Sequence, residues 1–177
     1  MGSLKQGFVQ VYTGNGKGKT TAAIGQAVRA AGAGLKSYII QFMKEYPYGE
    51  LNSLKFLSDL ITIEQKGGDD FVYKKELPSE AEKMKIRGAL KKAEDLMISK
   101  SYDIIILDEV LVSVYFKLLK TDEIISFLKK RPESVEVILT GRYCPDEIIE
   151  MADLVTEMKE IKHYYAKGVL SRKGIES

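Results

Sequence analysis

The chain has 177 residues, 45% hydrophobic and 29% charged, enough apolar material for one core spanning residues 1–177 and too much for an intrinsically disordered chain. Its 27 Lys and Arg face 25 Asp and Glu, a net charge of +2 without the basic excess of proteins that live on nucleic-acid phosphates. A single cysteine, Cys144, and a single histidine, His163, leave no internal disulfide and no Cys/His zinc set, which points to a reducing cytoplasm. No apolar run reaches the roughly 18 residues of a membrane span, and the N-terminus carries no basic leader with a cleavage site, so neither secretion nor membrane insertion is expected.

Residues 8–12 read as a strand ending at Thr13, followed by a glycine loop over 14–18 and a helix from Thr20 to Ala31, closed by Gly32 and Gly34. Ser37 to Phe42 is a second strand, residues 44–49 a loop, 51–58 a short helix and 60–63 a third strand. A polar, glycine-bearing stretch covers 66–75. Pro78-Ser79 stands before Glu82 at capping-box spacing, and Ile86, Leu90, Ala93 and Met97 then share one face of a long amphipathic helix. Residues 103–107 and 135–139 are continuous apolar runs of the kind buried on both faces of a parallel sheet, with a helix over 121–130 between them. A helix starting near Pro145 leads to a last strand over 154–158 and a tail of weak periodicity. No internal repeat or low-complexity linker interrupts this order. It predicts an α/β fold, an open, mostly parallel sheet flanked by helices, with its site at the carboxyl ends of the strands.

The strongest chemical signal is Gly14-Asn15-Gly16-Lys17-Gly18-Lys19-Thr20-Thr21. Small residues between a strand and a helix let backbone N–H groups converge on an anion, with Lys19 neutralising phosphate oxygens and Thr20 reaching a Mg²⁺. The common pattern has glycine five residues before Gly18, where Thr13 stands, so this loop is one residue tighter and carries an extra cation in Lys17. The bland alternative is a strand-to-helix turn that binds nothing. Asp108 and Glu109 end the fourth strand, where an acid pair holds Mg²⁺ or its water; the alternative for Asp108 is a helix cap. Thr140-Gly141-Arg142 ends the fifth, where a guanidinium can clamp phosphate or simply lie on the surface. Phe71 and Tyr73, among glycines and acids, either close over a flat ligand or anchor the loop to the core. His163 and Cys144 have no place in a mechanism on these grounds.

With these pieces assembled, the chain resembles the P-loop ATP:corrinoid adenosyltransferases. The resemblance runs over nearly the whole chain and rests on Thr13 to Ala23, Gln41-Phe42-Met43-Lys44 with Gly49-Glu50, Leu107-Asp108-Glu109, Thr140-Gly141-Arg142, Lys162-His163, Gly168-Val169 and Gly174-Ile175-Glu176; the shortened glycine loop is the family's own form. It implies a P-loop NTPase fold of RecA-like kind, usually a homodimer. It also implies ATP lying reversed in the loop, so that the ribose C5′ faces the cobalt of a reduced corrinoid and triphosphate leaves. Lys17, Lys19, Thr20, Arg142 and a Mg²⁺ held by Thr20 and Asp108 or Glu109 would neutralise the leaving group, and a flavoprotein would supply the electron. The family's Gly-Phe-x-Trp segment, which expels the lower cobalt ligand, corresponds to Asp70-Phe71-Val72-Tyr73, with Tyr73 in place of Trp. The chain starts almost at its first strand, so the N-terminal helix that some members fold over the corrinoid is expected to be absent. A small-molecule kinase and a RecA-like ATP-binding module remain as alternatives; both would release ADP.

Overall fold

The most continuous apolar runs take the middle of the sheet. In the computed structural model, which describes residues 4–67 and 77–176, the strands are β1 (Val9–Thr13), β2 (Ser37–Phe42), β3 (Ile61–Lys66), β4 (Ile104–Asp108), β5 (Glu136–Thr140) and β6 (Leu154–Glu157). They form one sheet in the order β3-β2-β4-β5-β1-β6, and every neighbouring pair is parallel. Every residue of β2, β4 and β5 is buried, as parallel strands covered on both faces require. β1 alternates between buried and half-buried, and β6, on the edge, is exposed at all four positions.

Parallel neighbours need crossover connections, and among the described residues six helices supply them: α1 (Lys19–Gly32), α2 (Gly49–Ser53), α3 (Glu80–Ile98), α4 (Val110–Tyr115), α5 (Thr121–Lys129) and α6 (Asp146–Met151). Strand alternation divides the core in two. Ile39, Ile104, Ile106 and Ile138 face α1, which meets them with Ala23, Ala27, Ala30 and Ala31, small enough to bring the helix close to the sheet. Tyr38, Ile40, Ile105, Leu107, Val137 and Leu139 face the other way, under Ile86, Leu90, Ala93 and Met97 of α3 and Leu111, Ile124, Phe127 and Ile148 of α4 to α6. Each fully buried isoleucine or leucine contributes about 2 kcal/mol to this arrangement. α1 therefore leaves β1 over one face, while α6 leaves the adjacent β5 over the other. That divergence creates a crevice at the carboxyl ends of the two strands.

The predicted order of elements holds, with five differences. The sheet is wholly parallel. The third strand continues from the expected 60–63 through Glu64, Gln65 and Lys66, because pairing with β2 out to Phe42↔Lys66 outweighs their polar character. The helix expected over 51–58 is α2 followed by a 3₁₀ turn at Leu54–Leu57, and Gly32 stays inside α1 while Gly34 takes the left-handed turn, φ +76°. α4 had no sequence signal, since Val-Leu-Val-Ser-Val-Tyr is rich in β-branched residues; burial of Val110, Leu111 and Ser113 decides for helix. The capping box is present: the Ser79 hydroxyl accepts from Glu82 N at 3.3 Å, and the Glu82 carboxylate accepts from Ser79 N at 2.7 Å. Phe71 and Tyr73 lie outside the described residues.

Candidate nucleotide site

Alternation along the strands also builds the site. The residues that follow the isoleucines on the α1 face, two positions on, are Gln41 in β2, Asp108 in β4 and Thr140 in β5, and Gln41 is in register with both Asp108 and Gln65. A polar row thus crosses four strands at the carboxyl end, beneath the first turn of α1. Gln65 Nε2 donates to Gln41 Oε1 at 3.0 Å and Gln41 Nε2 to Asp108 Oδ2 at 3.1 Å, while Thr140 Oγ1 donates to Asp108 Oδ1 at 2.7 Å. From α1, Thr20 Oγ1 donates to Asp108 Oδ1 at 2.8 Å. From the loop after β2, Lys44 Nζ donates to Asp108 Oδ2 at 2.8 Å and to Thr20 Oγ1 at 3.2 Å. Asp108, 1% exposed, therefore accepts four side-chain bonds, one from a cation, which is what keeps a buried carboxylate affordable.

The capping alternative for Asp108 is thereby overturned: Glu109, in the left-handed region at φ +61°, is the residue that precedes α4, its side chain makes no cap bond, and its N–H donates to Thr140 Oγ1 at 2.9 Å. Glu109 lines the cavity, and burial together with the neighbouring Asp108 raises its carboxyl pKa, an effect opposed by Lys44, Lys19 and Arg142. Burial lowers the pKa of Lys19, with Arg142 acting in the same direction against Glu109 and Asp108. Burial would lower Lys44 as well, but Asp108, with Glu109 and Glu50, outweighs it and holds that ammonium above its ordinary value.

The glycine loop closes the other side. Gly14 has φ +94°, and a Cβ there would lie 2.6 Å from the Met158 carbonyl oxygen, the same oxygen that accepts from Gly16 N at 2.6 Å. Any larger residue would push the loop off the end of β6. Lys19 is buried in the loop, its Nζ donating to the carbonyls of Gly14 and Gly16 at 2.8 Å each. α1 starts with no side-chain cap and no acid in its first turn, so its positive end is left to an anion.

Asn15 to Thr21, Glu109 and Arg142 share one cavity of about 630 Å³. Arg142 is exposed there and, among the described residues, makes no hydrogen bond or salt bridge. It follows Gly141, whose φ of +141° carries the chain past Leu111, where a Cβ would come within 2.8 Å. Every described candidate except Gly14 and the buried Asp108 thus lines one space; Gly14 touches it through its carbonyl on Lys19, and Asp108 through Thr20. Gln41, Lys44 and His163, which carry the family resemblance without an assigned role, also contribute. Gln41 and Lys44 belong to the polar row, and a polar residue ending the apolar run Ile39-Ile40 was the same signal that marked Asp108. His163, set aside from sequence, lines the cavity with Gly174 and Glu176 of the tail, its Nδ1 accepting from Tyr165 N at 3.1 Å. Cys144 stays outside, its thiol pushed up to about 11 by burial and by Asp146.

Thr20 and Asp108 are hard oxygen donors, and Lys44 places a positive charge against both, so the residues fit a Mg²⁺ that completes its shell with phosphate and water. With this sheet, a glycine loop after β1 and an acid at the end of β4, two strands away, define an α/β domain of the P-loop NTPase-like class.

Within that class the match is specific. The model of the ATP:corrinoid adenosyltransferase BtuR/CobO/CobP family fits residues 5–177, and the chain belongs to that family. It is 36% identical to the corrinoid adenosyltransferase of Escherichia coli K12 over 173 residues, 97% of this chain and 86% of that protein. It is 35% identical to the corrinoid adenosyltransferase CobA of Salmonella typhimurium, with the same coverage. The corrinoid adenosyltransferase of Pseudomonas aeruginosa is 30% identical over 97% of this chain and 84% of its own.

Proposed function

We propose that the protein transfers the 5′-deoxyadenosyl group of ATP to the cobalt of a reduced corrinoid and releases triphosphate. The observation that carries this reading is the family match over residues 5–177, laid over a cavity whose cations Lys17, Lys19, Lys44 and Arg142 suit a triphosphate. In the reaction, the Co(I) electron pair forms the Co–C5′ bond, the C5′–O bond breaks, and its pair leaves on the triphosphate. No proton is moved, so no general base is needed; positioning and charge neutralisation carry the work. Lys19 exchanges its two loop carbonyls for phosphate oxygens, the N–H groups at the start of α1 receive the same anion, and Arg142 clamps it from the turn after β5. Thr20 and Asp108, with Glu109 beside them, would hold Mg²⁺, which supplies further positive charge to the leaving group.

The remaining assignments follow from the family resemblance. Phe71 and Tyr73 would face the corrinoid and deny cobalt its lower ligand, a flavoprotein would deliver the electron, and the enzyme would work as a cytoplasmic homodimer. Among the described residues, no helix is long and apolar enough to cross a membrane. The test is to mix the protein with MgATP and chemically reduced cobalamin. A light-sensitive alkylcobalt spectrum is expected; its absence, with ATP hydrolysed to ADP, would point to the kinase or ATPase reading instead.

A further inference from the structure

Lys44 lines the cavity, but its ammonium rests on the buried Asp108 carboxylate, a placement that triphosphate binding alone does not explain. Met43, in the left-handed region at φ +55° and 7% exposed, turns the chain at the end of β2, with its N–H donating to the Lys66 carbonyl at 2.9 Å. The next residue is thereby sent back over the strand ends instead of out to solvent. Its side chain is 11% exposed and passes the Tyr48 ring at 5.2 Å. The ammonium stops 2.8 Å from Asp108 Oδ2 and 3.2 Å from Thr20 Oγ1, the two side chains read above as divalent-metal donors. Gln41 braces the arrangement, its Nε2 bonded to Asp108 and to Glu50 Oε1, both at 3.1 Å.

We propose that Lys44 is a tethered counter-cation that competes with the divalent ion for Asp108 and Thr20, so that metal enters only together with nucleotide. An ammonium and a hydrated divalent ion cannot share the same two oxygens. Lys44 has the advantage of attachment, which gives it a high effective concentration at the site. A bare divalent ion meets only two protein oxygens there and is reluctant to shed water, so it loses the contest. A metal–triphosphate complex brings phosphate ligands of its own and a counter-charge for Lys44, whose flexible stem lets the ammonium move from Asp108 to phosphate. Lys44 is in this sense a positioning residue: it holds the Asp108 carboxylate in place, and it makes metal binding conditional on nucleotide. The inference rests on the reading of Thr20 and Asp108 as metal donors.

The experiment titrates Mn²⁺, followed by electron paramagnetic resonance, into the wild type, Lys44→Met and Lys44→Gln, with and without a non-hydrolysable ATP analogue. Without nucleotide, both variants are expected to bind Mn²⁺ about tenfold or more tightly than the wild type, the scale measured for close charge pairs. Adding Asp108→Asn to Lys44→Met should abolish the gain. In melting experiments, MgCl₂ alone should raise the Tm of Lys44→Met and leave that of the wild type unmoved. Lys44→Gln retains a donor to Asp108 and serves if Lys44→Met does not fold. Unchanged or weaker bare-Mn²⁺ binding in the variants overturns the inference, and so does a gain that survives Asp108→Asn. If the wild type binds Mn²⁺ with the analogue but the variants show no gain without it, the inference alone falls. If the wild type fails to bind Mn²⁺ even with the analogue, the metal-site reading falls as well.

Discussion

The two ends of the sheet use polar groups in opposite ways. At the amino end, side chains bond to backbone: Glu136 accepts from Phe8 N at 2.6 Å, Asp153 from Val9 N at 2.7 Å and Asp103 from Lys36 N at 2.8 Å, while Arg131 donates to the carbonyls of Gly7 and Val135 at 2.9 and 2.8 Å. At the carboxyl end, Thr20, Gln41, Lys44, Asp108 and Thr140 bond chiefly to one another. A backbone partner within the sheet is fixed by the fold, unlike the loop carbonyls that hold Lys19, so the amino-end groups fasten strand starts to turns. A side-chain partner can be exchanged for a phosphate or a metal at little cost to the backbone. The same chemistry therefore staples the structure at one end and stays available to a ligand at the other.

This contrast breaks first, and most heavily, at Lys19. Lys19→Ala should lower adenosyl transfer by about a thousandfold, near 4 kcal/mol in transition-state stabilisation, with an unchanged circular dichroism spectrum. Near-normal turnover would remove the glycine loop from the site. Asp108→Asn should act on both binding and stability. Leaving the Lys44 ammonium buried without its partner costs about 3 kcal/mol in urea unfolding, and the Mg²⁺ concentration needed for half-maximal activity should rise. Lost stability together with an unchanged Mg²⁺ titration would make the polar row a structural feature like those at the amino end.

Arg131→Ala is the converse. It should cost about 1.5 kcal/mol of stability through orphaned carbonyls while leaving the KM for ATP untouched. A change in KM would blur the distinction between the ends. The smallest effect is at Cys144. With its thiol pushed up to about 11, alkylation of the native protein should stay slow through pH 9 and accelerate only toward pH 11, whereas unfolded protein should react at the ordinary thiol range. Rapid labelling at pH 8 would show that the turn before α6 is open.

Much of this was legible in the sequence, for identifiable reasons. The glycine loop, the capping box at Ser79 and the buried strands are local signals, set by residues within a few positions of each other. The acid at the end of β4 could be found because a charged residue terminates an apolar run. What stayed hidden depends on register. Lys44 and Asp108 are 64 positions apart in sequence and meet only because Gln41 pairs with Asp108 across β2 and β4 and Met43 turns the chain back. His163 reaches the cavity from a tail with no periodicity to place it. α4 was hidden for the opposite reason, since its local preference is for strand and only the core makes it a helix.

The carboxyl end as the place where ATP gives up its adenosyl group is tested most directly by ³¹P NMR of the products formed from MgATP and Co(I) corrinoid. Intact triphosphate, appearing in step with alkylcobalt and absent when corrinoid is withheld, is the result expected. ADP and orthophosphate as the phosphorus products, with no triphosphate, would contradict it.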